Sequence, residues 1–315
     1  MKTLLLIDAN SLIHRSFHAL PPFTSPKGEP TGALYGLSSV LLKIIKEKNP
    51  DYWAAAFDRP EPTFRKKLFK EYKAHRPKAP DELISQIIKA HEVFGKFGIK
   101  TFEQPGFEAD DLIAALVKHF KPEKELKIII LTGDLDTLQL VCDGKVEVET
   151  PKKGVSEIMI YNEKAVQERY GLKSEQLPDY KGLVGDKSDN ILGVPGIGPK
   201  TAGRLLGEYH NLGNLYQKLK AKKIEEFPKK DRKLFQKLLD NEEQALFSKK
   251  LVLLDQDIEI PVSLNDLEFR DLDDSLLDYF RQLGFQSLVA RVSGQKPPDK
   301  TEKPGPKNKQ QKLCF

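Results

Sequence analysis

Aspartates follow three of the apolar segments that are typical of buried strands. Asp8 ends the first segment and Asp58 ends the second. Asp134 and Asp136 follow the third segment after a short turn. Because the carboxyl ends of parallel strands meet at one edge of an open sheet, we expect these carboxylates to lie together. Their combined charge needs neutralising cations, and all-oxygen ligands suit hard divalent ions such as Mg²⁺ or Mn²⁺.

Two further acidic clusters fit the same edge. Glu108, Asp110 and Asp111 open a predicted helix, where one or two acids would serve as ordinary capping residues. Asp186 and Asp189 lie in a loop, where they could equally bond to their own backbone. Each cluster alone is a weak signal, but the combination favours metal binding. Such a cleft suits in-line phosphodiester hydrolysis, in which two ions about 3.5–4 Å apart act on opposite sides of the phosphorus.

A glycine-rich segment contains Gly196, Gly198, Lys200 and Thr201 in the order Pro-Gly-Ile-Gly-Pro-Lys-Thr. Small residues let the backbone approach a phosphate closely, and the helix that follows presents free N–H groups to it. A tight turn between helices would also use glycine, for its positive φ. The lysine at the helix start favours phosphate binding, which would not depend on base sequence.

A basic stretch directly after Asp58 includes Arg65, Lys73 and Arg76, with Tyr72 among its aromatic residues. Cations interleaved with aromatic rings beside a metal site suit a single-stranded backbone with stacked bases. Most basic runs are solvated helix faces instead. The position of this one, next to a predicted metal ligand, favours nucleic-acid binding.

Short apolar segments alternate with helical patterns in the first half of the chain. Strands are predicted over residues 4–7, 52–57, 127–131 and 146–149, and helices over 32–48, 81–97 and 109–120. This alternation predicts an α/β domain with a mostly parallel central sheet flanked by helices. Strand signals fade from residue 162, and further helices are predicted over 163–170, 201–209, 214–219 and 232–247.

The chain is therefore predicted to have three parts. They are an α/β catalytic domain over residues 1–161, a helical DNA-binding region over 162–293 and a polar tail over 294–315. The tail is rich in Pro, Lys and Gln and nearly lacks apolar residues, so we expect it to be disordered.

The composition restricts the class of protein without defining it. The 315 residues include 51 Lys and Arg against 46 acids, a mild excess that permits a nucleic-acid partner without requiring one. Cys142 and Cys314 are too few for a disulfide framework or a thiolate metal site. Asp8 interrupts the apolar start too early for a signal peptide, and no segment is long enough to span a membrane. We therefore predict a cytoplasmic protein, and nothing in the sequence suggests more than a monomer.

In family order over residues 1–292, the chain resembles the 5′-nuclease domain of bacterial DNA polymerase I, in the flap endonuclease superfamily. The matching runs are Leu-Leu-Ile-Asp8, Ala-Ala-Phe-Asp58, Phe64-Arg65, Tyr72-Lys73-Ala-His-Arg76, Phe-Glu108-Ala-Asp110-Asp111, Leu-Thr-Gly-Asp134-Leu-Asp136, Gly-Asp186-Lys-Ser-Asp189 and Gly196-Ile-Gly-Pro-Lys200-Thr. The resemblance implies a PIN-like core with a helix-hairpin-helix motif. It also implies a structure-specific 5′-3′ exonuclease or 5′-flap endonuclease that cuts DNA, or RNA primers annealed to DNA, in replication and repair.

The same resemblance implies two divalent ions, Mg²⁺ or Mn²⁺, in each active site. The ligands of the first ion would be Asp8, Asp58, Glu108 and Asp110. The second ion or its outer coordination sphere would use Asp111, Asp134, Asp136, Asp186 and Asp189.

The resemblance further implies that the basic stretch forms an arch over the active site. Lys73 and Arg76 would steer the scissile phosphate, and Arg65 and Tyr72 would be among the contacts to DNA. This chain departs from many family members at Leu135, where they carry a basic residue between the two aspartates. The aspartates themselves are present, so we expect little loss of function.

The remaining DNA contacts are implied by resemblance as well. Arg15, Phe17 and Tyr35 would line the path of the reacting strand. The hairpin at residues 196–201 would grip the duplex, together with a K⁺ ion. The predicted substrate is DNA with a free 5′ end, a flap or a nick.

The last residues of the chain suggest a further partner. Polymerase I continues into other domains, whereas this sequence ends at Phe315, as either a stand-alone nuclease or a fragment would; the polar tail favours the first. Gln310, Leu313 and Phe315 resemble the short peptides that dock on the bacterial sliding clamp. A disordered tether with apolar anchors suits such docking, although so short a match also arises by chance.

Two other functions are open on sequence grounds. The run Asp134-Leu-Asp136-Thr resembles the nucleophile motif of haloacid-dehalogenase-type phosphatases, in which the first aspartate attacks phosphorus. That function would leave Asp8, Asp58 and the glycine hairpin without a role. The second is a structure-specific DNA-binding module with a decayed metal site, against which the presence of all the expected acids argues.

Overall fold

The computed structural model of the protein describes residues 1–151 and 158–294. A six-stranded sheet has the strand order β3-β2-β1-β4-β5-β6, and every neighbouring pair is parallel except β5 with β6. The strands are β1 (Lys2–Asp8), β2 (Tyr52–Ala56), β3 (Lys100–Phe102), β4 (Leu126–Leu131), β5 (Val146–Pro151) and β6 (Ile158–Tyr161). The predicted α/β class with a mostly parallel sheet is confirmed.

The central strands form because their side chains are apolar on both sides, as in sheets covered by helices on both faces. In β1, Leu5 and Ile7 face one core and Leu4 and Leu6 face the other, and all four are buried. The helices of this part are α1 (Ala9–Ala19), α2 (Gly32–Lys48), α3 (Phe64–Leu68), α4 (Asp81–Lys96) and α5 (Ala109–Phe120).

The second part of the chain is helical, with a small hairpin. Its helices are α6 (Glu163–Tyr170), α7 (Leu177–Val184), α8 (Pro199–Tyr209), α9 (Leu212–Lys220), α10 (Lys229–Asp240) and α11 (Glu242–Val252), and β7 (Gly185–Asp186) pairs with β8 (Ile191–Leu192). The predicted single helix over 232–247 is wrong, because the chain breaks at Asn241 between α10 and α11. These helices enclose a core of their own that includes Leu183, Ile197, Leu206 and Phe235.

The last two helices, α12 (Asp274–Gln282) and α13 (Gln286–Ser293), return to the sheet. Leu276, Phe280 and Leu288 are fully buried in the same core as Trp53 of β2 and Leu41 of α2. The predicted boundary, which assigned all of 162–293 to the helical region, therefore needs correction. The helical region is inserted between two segments that together build the α/β core.

Among the helices of the described residues, none combines the length and apolarity that crossing a membrane requires. The predicted clamp-binding residues Gln310, Leu313 and Phe315 lie outside the described residues, so this prediction stays a prediction.

Because α12 packs in the core of the sheet, we expect Phe280 to contribute strongly to the stability of the whole fold. Phe280→Ala should lower the free energy of unfolding by about 3–5 kcal/mol, because the fully buried ring would leave a cavity in the core of the sheet. The measurement is urea denaturation followed by the fluorescence of Trp53. Leu246→Ala is the control, since that side chain is 43% exposed and should change stability little. A small loss in Phe280→Ala would contradict the corrected boundary.

Candidate active site

The carboxyl edge of the sheet carries an acidic cleft of about 610 Å³. Asp8 lies at the end of β1, Asp58 follows β2, and Asp134 follows β4. Asp110 reaches the cleft from the first turn of α5. The acids that line the cleft are Asp8, Asp58, Glu108, Asp110, Asp134 and Asp136. The structure therefore brings together the acids of the strand ends and two acids of the α5 cluster.

Hydrogen bonds to the backbone hold these carboxylates in place. Asp8 caps α1, and its Oδ1 accepts a hydrogen bond from the N–H of Ser11 at 2.9 Å. Asp58 Oδ1 accepts one from the N–H of Ala109 at 2.8 Å, which ties the end of β2 to the start of α5. Asp134 Oδ1 accepts one from the N–H of Asp136 at 2.9 Å.

Thr132 joins the two central strands beneath the cleft. Its buried hydroxyl donates to Asp8 Oδ2 at 2.7 Å and accepts from the N–H of Asp134 at 2.9 Å. One hydroxyl oxygen makes both hydrogen bonds, so Thr132 fixes the spacing between Asp8 at the end of β1 and Asp134 after β4.

The cleft disfavours negative charge on its own acids. Burial, followed by the nearby charge of Asp58, raises the pKa of Asp8 to about 7. Burial and the charge of Asp134 raise the pKa of Asp136 to about 7, against the opposing effect of Lys181. Burial and the surrounding aspartates also raise the pKa of Asp110 well above its ordinary value. A cation bound among these carboxylates would favour their ionised forms, because it would offset their mutual repulsion.

Asp110 also supports a bound cation through its hydrogen bonding. Its Oδ1 is buried and has no hydrogen-bond partner in the described residues, a costly arrangement unless another group completes it. In residues 1–151 and 158–294, however, no three His, Cys, Asp or Glu side chains are already arranged to hold a metal ion. The donor set and the unpartnered oxygen fit a hard divalent ion, but the side chains would have to adjust to bind it.

Lys181 is a cation within the acidic site that the sequence did not indicate. Its Nζ donates to Asp136 Oδ1 and to Asp186 Oδ2, the second at 2.5 Å. Burial alone would lower the pKa of this lysine, but Asp136 and Asp186 raise it. The lysine thereby links the loop acid Asp186 to the strand-end acids. It lies five residues before Asp186 in the sequence, and only the helical turn of α7 brings the two together.

The basic stretch lies over the other side of the cleft. The buried hydroxyl of Tyr72 lies 2.9 Å from Glu108 Oε2 and 3.0 Å from Asp189 Oδ2, and its single proton is shared between these two acceptors. Lys73 Nζ lies 3.1 Å from Glu108 Oε1, and Arg76 donates to Asp189 Oδ1 at 2.6 Å. Two predicted metal ligands, Glu108 and Asp189, are thus paired with the predicted arch residues.

Arg65 and Asp111 pair with each other in this structure, and the DNA contact predicted for Arg65 and the metal contact predicted for Asp111 stay predictions. Arg65 was expected to contact DNA, but it is 1% exposed and forms a two-pronged ion pair with Asp111 at 2.6 and 2.7 Å. Asp111 was expected to serve a metal ion, but its carboxylate is fully buried and also accepts the N–H of Glu108 at 3.1 Å. Arg65 further donates to the backbone carbonyl of Leu251 at 2.6 Å, so the pair joins α3, α5 and α11.

The other predicted DNA contacts fall in different places. Arg15 lines the cleft, whereas Phe17 and Tyr35 do not. Tyr35 is hydrogen-bonded to Ser287 at 2.9 Å, and its ring packs edge to face on Phe285 of the returning chain. Tyr72 is buried and bonded to carboxylates in this structure, and its predicted contact to DNA stays a prediction. Further lining residues that the sequence did not indicate are Asn10, Ser11, His14, Lys181 and Ser188.

The glycine hairpin precedes α8, apart from the acidic cleft. Gly196 has φ of 76°, and the N–H of Ile197 closes the turn onto the carbonyl of Val194 at 3.0 Å. Gly198 caps α8 without a side chain, and Pro199 is its first residue. Lys200 is exposed and Thr201 half-buried in the first turn of the helix.

The fold and the acidic cleft define a resolvase-like nuclease architecture followed by a helical domain, and two family models match it in succession. The 5′-3′ exonuclease N-terminal resolvase-like domain covers residues 3–171, and the 5′-3′ exonuclease C-terminal SAM fold covers residues 172–275. The chain belongs to the 5′-3′ exonuclease family. It is 37% identical over 293 residues to the 5′-3′ exonuclease of Aquifex aeolicus, covering 93% of this chain and 96% of that protein.

Other relatives are longer than this chain. DNA polymerase I of Bacillus subtilis is 39% identical over 293 residues, which cover 92% of this chain but 32% of the polymerase. The chain thus spans about a third of the length of the polymerase relatives that it matches.

Solved structures support the fold. The T5 5′-exonuclease with bound zinc ions aligns with a TM-score of 0.66 at 22% identity, over 93% of this chain and 97% of that one. The catalytic core of Rad2 in complex with DNA substrate aligns with a TM-score of 0.62 at 18% identity, over 92% of this chain and 91% of that one. At these identities the likeness establishes the fold alone.

The raised pKa values predict how stability depends on pH without metal. Asp8 and Asp136 titrate near 7 in the folded cleft but near 3.8 when unfolded, so the folded state binds more protons between these values. Stability in EDTA should therefore fall as the pH rises from about 4 to about 7 and level off above that, lowering the melting temperature by a few degrees. Mg²⁺ should restore it at pH 8. Asp8→Asn should flatten the profile, and an unchanged profile in that variant would contradict the origin we assign.

The buried ion pair predicts a different effect. Asp111→Asn should lower the free energy of unfolding by about 3–5 kcal/mol, because Arg65 would remain buried without its counter-charge. Chemical denaturation measures this loss, and Arg59→Met is the control, since the solvated pair of Arg59 with Glu61 should matter far less. If Asp111→Asn instead kept its stability and lost affinity for Mn²⁺, Asp111 would be a metal ligand after all.

Proposed function

We propose that the protein is a structure-specific nuclease that hydrolyses phosphodiesters of DNA, or of RNA primers annealed to DNA, near a free 5′ end. The observation that carries the proposal is the cleft itself, in which buried carboxylates and cationic side chains line the same space. Asp8 and Asp110 are buried there, while Arg15, Lys73 and Arg76 line the same cleft. A phosphodiester bound in this space would meet both positive charge and metal-binding oxygens.

Two sets of acids would hold divalent ions in this cleft. Asp8, Asp58, Glu108 and Asp110 would surround the first, and Asp134, Asp136, Asp186 and Asp189 would serve the second or its outer coordination sphere. When bound, a pair of Mg²⁺ or Mn²⁺ ions supplies activation of the attacking water and neutralisation of the leaving oxygen. Attack of water on phosphorus breaks the bond to the 3′ oxygen, which leaves a 5′ phosphate on one product and a 3′ hydroxyl on the other.

The residues of the chain prepare and complete this site. Thr132 and Ser11 hold Asp8 toward the cleft through their hydrogen bonds to its two oxygens. Lys73 and Arg76 lie on carboxylates in this structure. A bound phosphate would draw these two cations away, and the released acids would become free to ligate metal. No histidine is required as a general base.

The hairpin would hold the duplex beyond the cut. The start of α8 offers backbone N–H groups at Lys200 and Thr201, which suit a phosphate because the helix dipole favours an anion there. We further propose a K⁺ ion at this hairpin, and a path for the reacting strand that passes Arg15 before reaching Phe17 and Tyr35. A role in replication or repair, docking on a sliding clamp and a monomeric state complete the proposal.

The test uses a 5′-labelled flap on a nicked duplex, with a blunt duplex and a 3′ flap beside it. Short labelled products should appear from the 5′ flap in Mg²⁺ and not in EDTA. Asp134→Ala should lower the rate by about 100-fold or more while flap binding survives, because a metal-bound carboxylate is lost. Asp278→Ala, an exposed acid on α12, is the matched control and should cut normally.

The alternatives give other results in the same assay. Binding of the flap without cutting in Mg²⁺ or Mn²⁺ would identify a binding module and overturn the proposal. Hydrolysis of a small phosphate monoester, with all DNA substrates left intact, would instead support the phosphatase function in which Asp134 is the nucleophile.

A further inference from the structure

The hairpin has a neighbour that neither the motif nor the family match assigns a role. Lys237 of α10 extends to the turn, and its Nζ lies 2.9 Å from where a Cβ on Gly196 would stand. The ammonium group therefore lies directly against the turn, at a glycine whose φ of 76° disfavours other residues. The lysine is half-buried, so its side chain is confined next to the hairpin backbone and cannot range freely through solvent.

Among the described residues, Lys237 has no counter-charge of its own, unlike Arg204, which pairs with Asp231 at 3.7 Å, and Lys220, which pairs with Glu242 at 2.7 Å. The side chain of Lys237 forms no ion pair or hydrogen bond within residues 1–151 and 158–294. A half-buried ammonium without a counter-charge carries a desolvation cost, which an anion from outside the chain would offset.

The backbone N–H groups beside Lys237 also lack hydrogen-bond partners among the described residues. Gly198 brings no capping side chain, and the first-turn N–H groups of Lys200 and Thr201 make no hydrogen bond in the described part of the chain. Unpaired N–H groups at a helix start bind anions, and the ammonium group of Lys237 beside Gly196 adds a full charge near them. The hairpin and Lys237 therefore offer complementary halves of one anion site.

The rest of α10 continues this positive surface. Lys230, Lys233 and Lys237 are spaced three and four residues apart, so they share one face of the helix. Phe235 and Leu238 are buried in the core beneath the hairpin and fix the opposite face. Lys230 and Lys233 are exposed. Together with Lys237 they form a row of cations that starts at the hairpin and runs along the helix.

We propose that Lys237 binds a backbone phosphate of duplex nucleic acid jointly with the hairpin, and that Lys233 and Lys230 extend this contact along the duplex. The inference rests on the proposed function, because it adds to the surface that would hold the duplex. The contact reads phosphate and no base, so it should contribute equally to every sequence.

The salt dependence of duplex binding tests the role of Lys237. Fluorescence anisotropy with a short blunt duplex in EDTA, over about 50 to 300 mM KCl, gives the slope of log Kobs against log salt. Lys237→Met should reduce the magnitude of that slope by about 0.9, as expected for one lost phosphate contact. Lys237→Arg should keep the wild-type slope, because it retains the charge.

The matched control is Lys124→Met, which removes the same charge from the loop before β4, at the opposite edge of the sheet from the cleft. Its slope should equal that of the wild type, and Lys233→Met provides a second test on a fully exposed position should Lys237→Met fail to fold. If Lys237→Met and Lys233→Met kept the same salt slope as Lys124→Met, the inference would be overturned. This holds even if the protein still cuts the flap. A wild type that neither binds the duplex nor cuts the flap would instead refute the proposed function.

Discussion

The repulsion among carboxylates at one edge of the sheet is the constraint that organises this protein. The parallel pairing of β1 and β4 brings these acids together. The alignment of Ile7 with Leu131 places Thr132 beside Asp8 at the ends of neighbouring strands. Left to themselves, buried like charges would protonate or push apart. The backbone hydrogen bonds to Asp58 and Asp134, the hydroxyl of Thr132 and the start of α5 all hold these acids where their mutual repulsion would separate them. Holding these acids close together costs the fold stability, and it leaves a group of carboxylates in position for a cation.

Neighbouring acids in the chain serve opposite purposes here. Asp110 and Asp111 are adjacent in α5, and successive helical residues point about 100° apart. One turns to the cleft and keeps an unpartnered oxygen, while the other turns inward and neutralises Arg65. The inward pair locks α3 beneath the basic stretch, so the segment that carries Lys73 starts from a fixed point. A structural ion pair thus supports the residues that we propose bind the phosphate.

The sequence was sufficient for much of this because apolar runs and strand-end acids are local signals. The bounds of α2 and α5 follow from their periodicity, and the convergence of Asp8 and Asp134 follows from parallel strands. The pairing of Arg65 with Asp111 could not be predicted, since it depends on which face of each short helix is buried. Lys181 was missed because a lone lysine in a helix carries no signal of the acids it will meet. The three-residue β3 and the return of α12 to the sheet were missed because they depend on contacts between distant parts of the chain.

The insertion of the helical region between two segments of the α/β core has a mechanical consequence. A region attached by one linker can swivel, whereas one attached at both ends is limited to small bending movements. If the hairpin holds a duplex and the cleft cuts it, as we propose, this double attachment would keep the distance between the two points nearly constant. The number of base pairs between the held point and the cut would then be fixed by the backbone.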